Sequence, residues 1–206
     1  MDLENMVVEL AQTAKKAARR LATTSTQTKD NALLGAAELL RQQTGALLSA
    51  NTKDVARGQE NGLSSAMLDR LSLNEARIDA MAKGLEIMVD LPDPVDETIS
   101  TWHRPNGLEI RQIRVPLGVV GIIYESRPNV TADASGLCLK AGNAVVLKGG
   151  SEAFETNGAI VDILSQACSA AGLPEGAVQL VRSTDRQSVT FLLQQDRYID
   201  VIIPRG

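Results

Sequence analysis

From Val119 onward the chain alternates short β-branched runs with stretches of helical periodicity, and this alternation constrains the fold more than any other feature. Residues 119–124, 144–147, 177–181 and 198–203 read as strands, and about 130–141, 153–171 and 186–194 read as the helices between them. Strands joined by helices of this length run parallel with right-handed crossovers, so the pattern predicts a doubly wound α/β sheet. Gly142 and Gly172 fall where left-handed helix C-caps belong, and Asp185 is placed to cap the last helix.

The first ninety or so residues read differently. Val7, Leu10, Ala14, Ala17 and Leu21 make one helical stripe, and a second helix is expected over about 28–50 on Leu33, Ala36, Leu40 and Leu47. Asn51-Thr52 reads as the cap of a short third helix, and Ser72-Leu73-Asn74-Glu75 fits the capping box ahead of a helix through Ile78, Met81, Leu85 and Met88. The Pro-rich run Leu91-Pro92-Asp93-Pro94 stops it. Two extended runs then flank Pro105-Asn106-Gly107, whose Asn-Gly pair is a strong hairpin signal. The expected organisation is a helical part over 1–95, a β-hairpin over 96–117 read as an oligomerisation arm, and a parallel α/β region over 118–206.

Composition removes several function classes. The 21 Lys+Arg against 25 Asp+Glu leave a net charge of −4, without the basic bias of a nucleic-acid binder. Five scattered rings, Trp102, Tyr124, Phe154, Phe191 and Tyr198, build no stacking platform for single strands. With His103 the only histidine and no C-x-x-C pair, neither a zinc site nor a histidine-based triad is expected within the sequence. Cys138 and Cys168 sit in helical stretches as buried small hydrophobes, not as nucleophiles or a disulfide framework. No apolar run reaches the length of a membrane span, and the N-terminal stretch lacks a signal-type apolar core, so a cytoplasmic protein without membrane partners is expected.

In open α/β sheets ligands bind at the carboxyl ends of the strands, which makes the four strand exits informative. They carry Arg127, Lys148, Arg182 and Arg205, one cation each in a net acidic chain. Any one of these is more often solvated than functional, but four on one rim point to a polyanionic small molecule. The exit Lys148-Gly149-Gly150-Ser151 lets backbone amides approach a phosphate, and the helix expected to start there adds its positive dipole end. No G-x-G-x-x-G follows the first strand.

The run from Val115 to Thr131, with Tyr124-Glu125-Ser126-Arg127-Pro128-Asn129-Val130-Thr131 at its end, resembles the γ-glutamyl phosphate reductases, a branch of the aldehyde dehydrogenase superfamily. So do the segments Leu139-Lys140-Ala141-Gly142-Asn143, Ala66-Met67-Leu68-Asp69-Arg70-Leu71 and Pro204-Arg205-Gly206. The resemblance covers the whole chain but only the N-terminal half of that family. It implies a sheet of aldehyde dehydrogenase type, incomplete at the C-terminus, and NADPH-dependent reduction of L-glutamate 5-phosphate to the 5-semialdehyde with phosphate release, in proline biosynthesis. The family's catalytic cysteine is matched by neither Cys138 nor Cys168, which implies a cofactor-binding part inactive alone. By similarity Asn129 offers its amide to the developing oxyanion, its other reading being an N-cap of the helix that follows. Lys148 matches the lysine that contacts the cofactor's adenosine ribose and 2′-phosphate, with Gly149 and Gly150 beside it. Ser151 stands where members preferring NAD often carry an acidic group, which favours NADPH. Tyr124, Glu125 and Ser126 are expected to line the cofactor cleft, and Arg205-Gly206 to lie beside the pyrophosphate. The implied partners are a small-molecule substrate, further copies of the chain, and glutamate 5-kinase. The alternative is a non-catalytic dinucleotide-binding or assembly module built on the same fold.

Overall fold

The computed structural model describes residues 2–125 and 127–205. Five helices come first: α1 (Leu3–Leu21), α2 (Thr26–Gln42), α3 (Thr44–Glu60), α4 (Ser65–Leu71) and α5 (Glu75–Val89). The hairpin β1 (Thr98–His103) and β2 (Glu109–Ile113) follows, and then β3 (Val119–Tyr124), α6 (Pro128–Lys140), β4 (Ala144–Lys148), α7 (Phe154–Ala170), β5 (Val178–Leu180), α8 (Gln187–Leu193) and β6 (Val201–Arg205).

The parallel sheet has the order β5-β4-β3-β6, every neighbouring pair parallel. The chain builds outward from β3 to β5, then returns across the sheet through α8 to place β6 on the far side of β3. Right-handed crossovers therefore put α6 and α7 on one face and α8 on the other. The contacts agree: α6 packs on β4 and β3, α7 on β5 and on α6, while α1 lies across β3, β4 and β5 and packs with α8. Strands covered on both faces need no polar alternation, and β3 and β4 are apolar and almost wholly buried. The α1 stripe behaves as its spacing predicts, with Val7, Ala14, Ala17 and Leu21 buried. Helices α2 and α5 form a further layer against α6 and α7, so one apolar cluster runs from Leu33 and Leu85 through Leu139 and Leu147 to Leu164. Each fully buried leucine of that cluster contributes about 2 kcal/mol.

Several expectations shift for local reasons. The helix expected over 28–50 is two helices, because Gln43 leaves helical geometry (φ −100°, ψ 20°) and the Thr44 hydroxyl turns back to the carbonyls of Leu40 and Arg41. Asn51 caps nothing; it is buried inside α3, donating to Leu71 O and Thr156 Oγ1 and accepting from Leu73 N. Ser72 is the C-cap of α4, a short helix that the periodicity does not announce, and Asn74 caps α5 by accepting from Arg77 N at 2.8 Å. Sheet pairing of the last strand starts at Val201, later than expected, because the amides of Tyr198 and Ile199 both go to Gln195 O. Gly142 and Gly172 adopt φ of 72° and 83°, as helix-ending glycines do. The N-cap of α8 is Arg186 and not the expected Asp185, which stands one residue earlier, although its Oδ1 accepts from Gln187 N at 2.8 Å.

Two buried lysines anchor the segment that leads into the hairpin. Lys29 is fully buried with Nζ 2.6 Å from Asp93 Oδ2, and Lys140 Nζ donates to Asp30 Oδ1 and Val89 O. Burial alone would raise the Asp93 pKa, but Lys29, with Thr26 and the Val95 amide, outweighs it and leaves the carboxyl below its ordinary range. The hairpin beyond stands clear of the core, with Ile99, Trp102 and Ile113 exposed.

Candidate cofactor and substrate site

In a sheet ordered 5-4-3-6 the connection from β3 runs outward to β4 while the one from β5 returns across the sheet to β6, and a crevice lies at the carboxyl ends of β3 and β6 where the strand order reverses. A hollow of about 460 Å³ lies there, lined by Tyr124, Glu125, Arg127 and Arg205 together with Met67 and Arg70 of α4. The register sets Tyr124 opposite Arg205, so the two strands end level. Beyond α6 a groove of about 410 Å³ holds Asn129, Asp133, Arg70 and Arg127. On the β4–β5 side a hollow of about 600 Å³ is lined by Ser151, Glu152, Arg182, Ser183 and Thr184, and by Asp54 and Arg57 of α3.

The four exit cations thus share a rim but not a single cavity. Arg127 and Arg205 meet at the crevice, Arg182 lies in the β4–β5 hollow, and Lys148 is buried between them at the end of β4. Arg182 is ion-paired with Asp162. Lys148 Nζ donates to Gly149 O at 2.9 Å, and burial lowers its pKa against the opposing charge of Glu152.

Packing alone requires the first glycine of the pair. A Cβ on Gly149 would sit 2.3 Å from Asn157 Nδ2 and 3.2 Å from the Tyr124 ring, so this glycine lets β4 exit against α7 and β3. Gly150 precedes a single 3-10 turn, Ser151–Ala153, and α7 begins only at Phe154. Two of the first amides of α7 are not free for phosphate. Asp54, fully buried in α3, accepts from Glu155 N, Thr156 N and Thr156 Oγ1 at 3.2, 2.8 and 2.7 Å. An internal carboxylate therefore occupies the positive end of this helix, correcting the expectation that it would receive a ligand.

Tyr124 is buried, and its hydroxyl lies 2.7 Å from Thr131 Oγ1, which donates to Asn157 Oδ1. Thr131 has one hydroxyl proton, already given to Asn157, so Tyr124 is the donor in this chain. Burial pushes the phenol well above its usual range and keeps it neutral. Glu125 and Ser151 are exposed. Ser126 and Gly206, also expected at the cofactor, lie outside the described residues.

Asn129 caps nothing, for α6 starts at Pro128 and its flanking residue Arg127 makes no side-chain cap bond. It is exposed in the first turn, its Nδ2 donating to Asp133 Oδ2 at 3.1 Å, one helical turn on. Burial raises the Asp133 pKa, with Asn129 and Arg205 opposing. Burial likewise pushes the Cys138 and Cys168 thiols up to about 12, which leaves them protonated and unreactive near neutrality. Among the described residues no three His, Cys, Asp or Glu side chains group as a metal site, and no helix is long and apolar enough to cross a membrane.

Sequence reasoning missed Asp54, Thr131, Asn157 and Arg70. The first had a signal: Leu47, Asn51, Asp54 and Gly58 follow one another at helical spacing, which puts polar groups on a buried stripe. Such groups need fixed partners, and α7 supplies them.

This arrangement, with a switch-point crevice, helices on both faces and an exposed antiparallel hairpin, is matched over residues 3–203 by the family model for the aldehyde dehydrogenase family, and the chain belongs to that family. Within it, the chain is similar to the γ-glutamyl phosphate reductase of Clostridium novyi, 53% identical over the whole chain and covering 49% of that protein. The Moorella thermoacetica enzyme of the same name is 57% identical over 95% of the chain and 47% of its own length. Among solved structures, γ-glutamyl phosphate reductase from Thermotoga maritima superposes with a TM-score of 0.95 at 40% identity, over 97% of this chain and 48% of that one. The chain spans about half the length of the curated relatives it matches.

Proposed function

We propose that this chain is the cofactor-holding part of a cytoplasmic γ-glutamyl phosphate reductase, which converts L-glutamate 5-phosphate, NADPH and a proton to L-glutamate 5-semialdehyde, phosphate and NADP⁺ in proline biosynthesis. The reading rests on the 53% identity that extends through all 206 residues to a relative of that name.

The rim fits the cofactor. The β4–β5 hollow is large enough for the adenosine end, and it offers the hydroxyls of Ser151, Ser183 and Thr184 beside Arg182. Lys148 opens the same loop, and the neutral Ser151 leaves space for a 2′-phosphate. Because Asp54 already occupies the α7 amides, side-chain cations carry the charge of that phosphate. The side of the crevice formed by Tyr124, Glu125 and Arg205 takes the middle of the molecule, with Arg205 at the pyrophosphate. Bound NADPH supplies the hydride. Asn129, beside this crevice, donates an amide N–H to the oxygen that gains charge when a thiol displaces phosphate from the acyl group.

The burial of Cys138 and Cys168, which raises both thiol pKa values, supports a nucleophile other than these two. The catalytic cysteine is therefore assigned outside these 206 residues. The exposed hairpin serves as an arm between copies of the protein. Glutamate 5-kinase makes the labile acyl phosphate that such an enzyme consumes, and is its functional partner.

The purified chain is expected to bind NADPH in preference to NADH in a calorimetric titration, yet to form no NADPH from glutamate 5-semialdehyde and phosphate. Turnover by the 206-residue chain would overturn the placement of the nucleophile, and equal indifference to both cofactors would overturn the cofactor assignment.

A further inference from the structure

The groove beside Asn129 carries a charge pattern for which the cofactor has no use. It runs between the α4–α5 turn and the first turn of α6, and holds about 410 Å³. Of its charged residues, Arg77 and Asp69 are engaged with each other, and Arg77 also donates to Ser72 O; they brace the turn. Arg70 and Arg127 differ. Neither has a side-chain hydrogen bond or ion pair among the described residues, and both also reach the crevice where β3 and β6 end. Across from them Asp133 is half-buried, with only Oδ2 engaged, by Asn129. One groove therefore offers two unpaired guanidinium groups and one carboxylate oxygen without a partner.

Guanidinium forks match a carboxylate, and a carboxylate matches an ammonium, so the pattern is the complement of an α-amino acid zwitterion. The two polar groups on α6 lie side by side, Asn129 Nδ2 being 3.1 Å from Asp133 Oδ2, and both residues line the groove. The Asn129 amide has a second N–H beyond the one given to Asp133, and the Asp133 Oδ1 is unengaged among the described residues. A glutamyl chain, roughly 5 Å from Cα to its side-chain carbonyl oxygen by standard bond lengths, is long enough for one molecule to meet both.

We propose that this groove seats the α-amino-acid head group of the substrate, with Arg70 and Arg127 on the α-carboxylate and Asp133 on the α-ammonium. The assignment rests on the reductase reading, which supplies an amino-acid substrate, and it adds the residues that recognise it. An ammonium ion beside Asp133 would also offset the burial that raises the pKa of this carboxyl.

The test uses the 206-residue chain and three probes: L-glutamate, glutarate, which lacks the ammonium, and 4-aminobutyrate, which lacks the α-carboxylate. Binding is read from the NMR shifts of the Asn129 side-chain amide and the α6 backbone amides, with NADPH titrated in parallel. L-Glutamate is expected to saturate these shifts, with each truncated probe weaker by about tenfold or more, as loss of one charge-assisted pair implies. Arg70→Ala should weaken L-glutamate by a similar factor, while Asp133→Asn, at a residue that lines the groove and not the crevice, should erase the preference for L-glutamate over glutarate and leave NADPH affinity unchanged. Should either variant lose its dispersed spectrum, the three probes on the unaltered chain still decide. Shifts that are absent, or alike for all three probes, overturn the head-group site; normal NADPH binding in the same sample then leaves the reductase reading standing, and its failure removes that reading as well.

Discussion

Two helices that follow strands of the same sheet begin beside charges of opposite sign. At the exit of β4, the start of α7 is closed by Asp54, a buried carboxylate from α3 that takes two amides and a hydroxyl. At the exit of β3, α6 begins at Pro128 with no side-chain cap, flanked by Arg127 and opposite Arg70. One helix end is satisfied from inside the protein, and the other is left to whatever enters the groove. A glycine-rich turn before a helix is thus no measure of anion affinity on its own, because the capacity depends on what the rest of the fold has already placed there.

The comparison breaks most visibly at Asp54. Asp54→Ala strands two buried amides and the Thr156 hydroxyl, and should cost about 3–4 kcal/mol of unfolding free energy in urea denaturation. A loss within experimental error would mean that α7 is not held by this carboxylate. Gly149→Ala comes next, since its Cβ would lie 2.3 Å from Asn157 Nδ2, with a loss of about 2 kcal/mol by the same measurement. Asn129→Ala sharpens the contrast from the open side: an exposed residue with no capping role should change stability by less than about 0.5 kcal/mol, whatever it does to chemistry.

A smaller and broader effect comes with acid. For Asp200, burial works to raise the pKa, but Lys15 and the Val119 amide outweigh it, so the carboxyl lies below its ordinary range. Asp93 is lowered in the same sense. A carboxyl depressed in the folded state adds stability that is complete above the unfolded pKa, about 3.9, and is lost as pH falls through the folded value. Thermal unfolding should therefore show a falling midpoint below about pH 4, reduced in Asp200→Asn.

The parallel sheet was legible because its strands announce themselves twice, by β-branched runs and by the glycines that end the helices between them. Val119–Tyr124 and Ala144–Lys148 needed little more. The helical part was less so. An amphipathic stripe tells which face is buried but not where a helix breaks, and the break at Gln43 rests on one residue's backbone and the Thr44 hydroxyl. At the site, the strand-end cations were visible as residues, whereas their grouping was not. It depends on α3 and α4, whose Asp54 and Arg70 reach the rim across more than fifty intervening residues.

The most direct test of the cofactor assignment is calorimetric titration of this chain and its Lys148→Ala variant with NADPH. On the proposed reading, with Asp54 holding two of the first α7 amides, Lys148 supplies much of the hold on the phosphate, and its removal should weaken binding by about 1–3 kcal/mol, roughly ten- to a hundredfold. An unchanged dissociation constant in a variant that remains folded would contradict it.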